Sequence, residues 1–495
     1  MVAVVAASPA FADTVRLSSP DGGVTIEGSL TEFDGQFYRL ETAFGPLTVD
    51  AAGVSCEGDA CPSSEDLAVT LAMTGPPGVV ERLLPELVEV FARREGLLLR
   101  QAIADDGTLS YDLAHHDNPD ADIAHFLIGS DAPERARGVL TRIEVTRSTP
   151  PSEDRLGGRR ADILALDALV PVVSADAAAT MVPRRVLAQA LAGRVETWEP
   201  MTGEDVPLSL HLGQIGNGTM QEVERQLLAP FGWRLSSQAT RHDAPDALVD
   251  AVAEDPFALG VTTLSELGAT VPLVLTGPCG YPTVASPIAL KTEDYPLTKP
   301  VYLIAPVLDA PGIAGDFLRF LRSPDAQPVI AFTGFVDQRI ARVPFAVQGG
   351  RLSNAILASA DASALAELQR MMEALSDAAR LSVTYRFEAG SSRLDAASRS
   401  NVGLLADAIA RGDFDGEEMI FVGFSDGQGD ADVNLRLSRS RAEGVRRAVA
   451  SAAGLAADDF GLDGFGEAMP IACDEVEWGR SLNRRVEVWV RPLQR

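Results

Sequence analysis

The stretch FVGFSDGQGDADVNLRLSRSRAEGV, from Phe421 to Val445, is where the chemistry of this chain is most readable. The apolar run Met419 to Val422 predicts a short strand that delivers Gly423-Phe424-Ser425-Asp426 into a Gly-rich turn. A helix is expected to begin near Asp432 to Asn434. Asn434, Ser438 and Arg441 follow at spacings of four and three, so they share one helical face. A carboxylate at Asp426 and a guanidinium at Arg441, fixed near one pocket, suit a zwitterionic ligand: the first accepts from an ammonium and the second grips a carboxylate with two prongs.

Further on stand Gly464-Phe465-Gly466-Glu467-Ala468-Met469-Pro470 and Asn483-Arg484-Arg485-Val486-Glu487. In this order, over roughly residues 381 to 493, the pieces resemble the peptidoglycan-binding domain of the OmpA family. The resemblance implies that Asp426 and Arg441 hold the diaminopimelate of the peptidoglycan stem peptide. Asn434 and Ser438 belong to the same motif, and Asn483 and Arg484 are expected to brace the pocket. Phe424-Ser425 stands where the family has His-Thr, which alters the turn's hydrogen bonding and keeps its two charges.

A chain of 495 residues is too long for one core, and 46% apolar with 23% charged residues is ordinary for soluble globular domains, so about two to four domains are expected. The net charge of -28 excludes a nucleic-acid partner and adhesion to an anionic membrane surface, both of which need clustered Lys and Arg. No apolar run is long enough for a transmembrane helix. The start, MVAVVAASPAFAD, ends an apolar run in Ala10-Phe11-Ala12, so residues 1–12 read as a signal peptide, short and without a basic segment, cleaved before Asp13. Export places the protein in the periplasm. Of the four cysteines, Cys56 and Cys61 can close a local disulfide; whether Cys279 and Cys473 pair is left open.

Residues 13–62 alternate apolar and polar residues between turns and predict a small β-domain. Residues 63–345 alternate strands and helices, as an α/β domain does, with a strand at Leu67 to Met73 and a helix at Val79 to Arg93. Ile163 to Leu166 leading into Leu169 to Val173 reads as a strand pair or a crossover. Gly213 to Met220 is a Gly-rich turn opening a helix that runs to about Leu228, and its amides, with Asn217, Gly218 and Thr219, can favour an anion or form a plain helix cap. The order of Leu166 to Val173, Leu191-Ala192-Gly193, Trp198, Gly216 to Thr219 and Tyr295-Pro296-Leu297 resembles phosphate-type periplasmic solute-binding proteins of ABC importers. That resemblance implies a two-lobed periplasmic-binding-protein-like domain, phosphate or another small anion as ligand, and an ABC importer or an outer-membrane protein as partner. Met220 stands where the family's Arg would be, and the prolines of Thr74-Gly75-Pro76-Pro77-Gly78 remove amide donors from the corresponding first-lobe turn. Thr74, Gly75, Ser130 (before an expected helix of Arg135 to Leu140) and Ser148 are the remaining candidate donors, and Ser130 and Ser148 read first as cap or turn residues.

Residues 346–380 predict a helical linker with Leu365, Leu368, Met371, Met372 and Leu375 at helical spacing, a stripe for packing against a neighbour. Residues 381–495 then read as βαβαββ, an α+β sandwich with two long helices on one face.

Enzymatic readings fare poorly. Gly423-Phe424-Ser425-Asp426-Gly427 is formally G-x-S-x-G, but the helix starts too late for a nucleophile elbow and all five histidines precede Ser425, the reverse of the hydrolase order. His115 and His116 are adjacent and lack a partner four residues on, so no metal site is expected, and no cofactor is implied. The chain is therefore read as a non-enzymatic envelope protein, moored to peptidoglycan and carrying a solute-binding-like domain; the competing reading is a structural scaffold whose cleft has lost its ligand.

Overall fold

In the computed structural model, which describes residues 14–19, 23–33, 37–50, 54–58, 60–61, 68–105, 107–130, 139–152, 155–307, 310, 312–359, 362–388 and 390–493, the chain divides into two units. One takes in residues up to Thr146 with Leu156–Arg160 and Leu303–Val329; the other is Arg147–Arg155, Ala161–Tyr302 and Ile330–Arg495. The expected signal segment lies outside the described residues.

In the first unit the N-terminal alternation gives an antiparallel sheet in the order Gly45–Asp50, Phe37–Thr42, Thr25–Phe33, Thr14–Ser18, Ser55–Glu57. Among the described residues its fully buried core is Val15, Leu17, Tyr38 and Leu40, and the Cys56–Cys61 disulfide supplements it. A second sheet places Val69–Thr74 between parallel neighbours Val139–Thr146 and Asn118–Gly129, which explains its continuously buried run. The helix at Val79–Leu83 and Leu84–Arg94 meets the helix Gly312–Arg322 in an aromatic cluster, with Phe91 and Phe317 ring centroids 5.1 Å apart. The helix expected at Arg135 to Leu140 is contradicted where it can be seen, because Val139 and Leu140 open a strand; residues 131–138 lie outside the described residues.

Arg159–Val173, which belongs to the second unit from Ala161 on, is one continuous strand where a strand pair or crossover was expected. Asp167, between the two expected pieces, is buried and satisfied by Arg147 Nη2 at 2.8 Å, Ser265 N at 3.0 Å and Ser265 Oγ at 2.8 Å, so the strand runs through it. Beside it lie Ala258–Thr263, Ser209–Gly213 and Thr240–His242 in that order, over a core that includes Leu187, Trp198, Leu212 and Met220.

The C-terminal part of this unit holds the site and is labelled separately. Its elements are β1 (Arg342–Pro344), α1 (Gly349–Ala358), α2 (Ala362–Leu375), β2 (Ala379–Tyr385), α3 (Ala396–Ala410), β3 (Glu417–Phe424), α4 (Ala431–Ala453), β4 (Gly461–Gly464), α5 (Glu477–Asn483) and β5 (Arg485–Pro492). The sheet order is β1-β2-β5-β3-β4, antiparallel except for the β3/β4 pair. Strand alternation sends Val383, Tyr385, Phe421, Val486 and Val488 to one face with α3 and α4, and Ile420, Val422, Phe424 and Trp489 to the other. That second face is covered by the 346–380 helices: Leu368, Met371 and Leu375 are buried against it, while Leu365 stays 41% exposed.

A group of buried charges joins β2 and β5 to α1 and to residues 293–294. Glu487 is fully buried; its Oε1 accepts from Arg485 Nε at 2.7 Å and from Arg351, and its Oε2 lies 3.4 Å from Arg380 Nε. Arg380 in turn donates to Asp294 at 2.7 Å, and Arg386 Nε to Glu293 at 3.0 Å. A disulfide also joins Cys279 to Cys473, 194 residues apart.

Candidate functional site

The turn after β3 is built by close packing against α4. Asp430 caps the helix by accepting from Val433 N at 3.0 Å, so α4 begins at Ala431 and presents Asn434, Ser438 and Ala442 inward. A Cβ at Gly423 would collide with the Ser438 carbonyl oxygen, and one at Gly464 would come within 2.6 Å of Ser438 Oγ. The two glycines thus let the helix backbone touch the sheet. Ser438 Oγ accepts from Gly466 N at 3.0 Å, and Asn434 Nδ2 donates to Gln428 O at 3.2 Å. Both side chains are buried and brace the loops on either side of the pocket.

Asn483, also buried, accepts from Ile471 N at 2.8 Å and Ala472 N at 3.1 Å and donates to Asp474 Oδ1 at 2.9 Å. Asp474 Oδ2 accepts from Gly427 N at 2.8 Å, which fixes the residue after Asp426. Sequence reading missed Asp474, since an isolated acid in an irregular loop carries no spacing signal.

The expected pair of charges is arranged differently from the simplest reading. Asp426 Oδ2 accepts from Arg484 Nη1 at 2.7 Å, and Arg484 Nη2 also donates to Glu477 at 2.9 Å. Burial works against the Arg484 charge, yet these two carboxylates raise its pKa above the ordinary arginine value. Arg441 stands apart: burial first, and then the neighbouring Arg484, lower its pKa, with Asp426 offsetting them in part. Its Nη1 is buried with no hydrogen-bond partner, and its guanidinium lies 5.7 Å from the Phe387 ring centroid. Arg441 and Arg484 line an open cleft of about 820 Å³ together with Phe387, Glu388, Ser391, Ser440, Arg447, Glu477 and Ser481. The loop between β2 and α3 and the start of α5 supply half of this wall, and neither was singled out from sequence.

Ser425 Oγ, the formal nucleophile, is buried without a hydrogen-bond partner, and its amide donates to Gly466 O at 2.8 Å. At the Gly-rich turn Gly213 to Met220, in the second unit, Asn217 Oδ1 accepts from Met220 N at 2.7 Å, making it a helix cap, and Met220 is a core residue 1% exposed. Gly218 is exposed and Thr219 half-buried on the same turn. Ser148 is exposed in the same unit; Thr74, Gly75 and Ser130 belong to the first unit, where Ser130 is exposed and Gly75 N donates to Gly129 O at 3.3 Å. Asp112, Asp122 and His125 bring ligand-type atoms within 4.8 Å of one another, but His125 Nδ1 is engaged with Asp112 at 2.7 Å and Asp122 with Arg100.

Residues 386–484 match the model of the OmpA family. The chain is 39% identical over 72 residues to "Probable lipoprotein YiaD" of Escherichia coli (strain K12), covering 14% of this chain and 32% of that protein. It is 37% identical over 98 residues to "Outer-membrane lipoprotein YfiB" of Pseudomonas aeruginosa, covering 20% of this chain and 56% of that protein. The chain thus spans less than two thirds of either relative's length. Among solved structures, an ABC-type phosphate transport receptor from Vibrio cholerae is similar over 54% of this chain and 99% of its own, at 13% identity and a TM-score of 0.38. What the cleft, the signature residues and the family match establish together is that this multi-domain chain carries an OmpA-family domain in its C-terminal part.

Proposed function

We propose that this protein is a periplasmic cell-envelope protein held to peptidoglycan by its OmpA-family domain, with Asp426 receiving the ammonium and Arg441 the carboxylate of a diaminopimelate-type stem-peptide residue. The observation that carries this reading is the buried, unpartnered Nη1 of Arg441 on the wall of an open cleft. A guanidinium nitrogen left without an acceptor is costly, and a ligand carboxylate supplies what it lacks. Arg484 occupies the Asp426 oxygen that an ammonium would take, so binding exchanges one cation for another there. Asn434, Ser438 and Asn483 act by holding the loops in place. Two disulfides suit an oxidising compartment. In a pulldown on purified peptidoglycan, Asp426→Ala and Arg441→Ala should each weaken retention about tenfold or more, the loss of one charge-assisted contact. Retention of both variants at the wild-type level refutes the assignment.

For the middle domain the specific observation favours the scaffold reading at the Gly-rich turn: its cap is satisfied internally by Asn217, and Met220 is sequestered in the core. Calorimetric titration with phosphate and a panel of small anions should be silent at millimolar ligand. A saturable heat with any of them restores the solute-capture reading.

A further inference from the structure

Resting on the peptidoglycan reading above, we infer that the Cys279–Cys473 disulfide and Asp474 are positioning elements of the ligand-binding turn, which makes a segment far outside the OmpA-family match part of the working site. Cys279 sits between two short paired strands, Val274–Thr276 and Pro282–Thr283, and Tyr281 of that hairpin donates its hydroxyl to Asn354 O at 3.1 Å. The hairpin is therefore a fixed point. The disulfide joins it to Cys473, which is buried and adjoins Asp474. Asp474 holds Gly427 N at 2.8 Å through Oδ2 and Asn483 through Oδ1, while its carbonyl accepts from Arg480 Nη1 at 2.8 Å.

The covalent tie and the carboxylate thus stand on adjacent residues, and the amide that carboxylate holds belongs to the residue next to Asp426. The turn needs such a clamp because Gly427 and Gly429 lie in it, Gly429 at a φ of 100°, and a glycine-rich loop has a large freedom to lose. The loop bearing Cys473 also sits hard on α5, where a Cβ at Gly479 would collide with the Cys473 carbonyl oxygen. Releasing the disulfide frees one end of this loop, and the carboxylate of Asp426 then samples positions from which it cannot meet the ligand together with Arg441.

The test uses the full chain in three forms, Cys279→Ser with Cys473→Ser, Asp474→Ala, and Cys56→Ser with Cys61→Ser, read by co-sedimentation with purified peptidoglycan and by amide hydrogen exchange at Gly427. The first two should bind about tenfold more weakly and exchange Gly427 about tenfold faster, the size of one lost charge-assisted hydrogen bond; the third should behave as wild type. Unchanged exchange at Gly427, or faster exchange with undiminished binding, overturns the inference. If the cysteine variant fails to fold by circular dichroism, Asp474→Ala decides on the same criteria. Should wild type itself not bind peptidoglycan, the functional reading falls, while Gly427 exchange still decides whether the disulfide holds the turn.

Discussion

Glu293 combines a positive φ of 55° with a mostly buried carboxylate, 14% exposed, beside Arg386. Burial dominates its titration; Arg386 pulls the other way, but Asp395 and Asp294 add to the cost of a negative charge, and the pKa rises from 4.5 to about 7. The folded state therefore holds this proton more tightly than the unfolded chain. The stability it contributes is full below pH 4.5 and is lost as pH climbs to about 7. Glu293→Gln should flatten that part of the stability profile, measured by denaturant unfolding at several pH values. An unaltered slope between pH 5 and 7 would show that the carboxyl titrates normally.

Among the elements, β5 carries the largest concentration of buried charge. Burial opposes ionisation of Glu487, yet Arg351, Arg380 and Arg485 hold its pKa well below the usual carboxylate range, and Arg485 is itself lowered to about 10, chiefly by burial. Glu487→Ala would leave three guanidiniums without their shared partner, and a loss of about 3–5 kcal/mol is expected in urea unfolding; a loss below 1 kcal/mol would mean that water already reaches the group. The elements also show what was legible in sequence. The helix bearing Asn434, Ser438 and Arg441 could be read because Gly423 and Gly464 leave no room for alternatives against Ser438, so the pattern is a steric record. The disulfide Cys56–Cys61 was legible from its local spacing. The continuity of Arg159–Val173 was not legible, because the partners that satisfy the buried Asp167, Arg147 and Ser265, are supplied only by the fold. Arg380 and Asp294 gave no signal either: partners 86 residues apart look like ordinary surface charges until the chain is folded.

At the scale of the molecule, the second unit gathers two kinds of sequence into one body. The OmpA-family match begins at residue 386, but the sheet it belongs to starts with β1 at Arg342, and one of its faces is covered by α1 and α2. Arg380, Arg386 and Cys473 each reach back to residues before 295, at Asp294, Glu293 and Cys279. The site's electrostatic and covalent supports are therefore drawn from sequence outside the OmpA-family match, which is why half of the cleft could be named from sequence and its foundations could not.

The apolar face beneath α1 and α2 also decides where the chain can be cut. A recombinant fragment starting at Leu381 would bare Ile420, Val422, Phe424 and Trp489 to water and strand Glu487 with Arg485 alone. Such a piece should self-associate in light scattering, as sticky apolar surfaces of this kind do, whereas one beginning ahead of Arg342 keeps its lid and should stay dispersed. The smallest portable anchor is accordingly longer than its signature, and grafting the signature by itself onto another protein would transplant the recognition letters without the page they are written on.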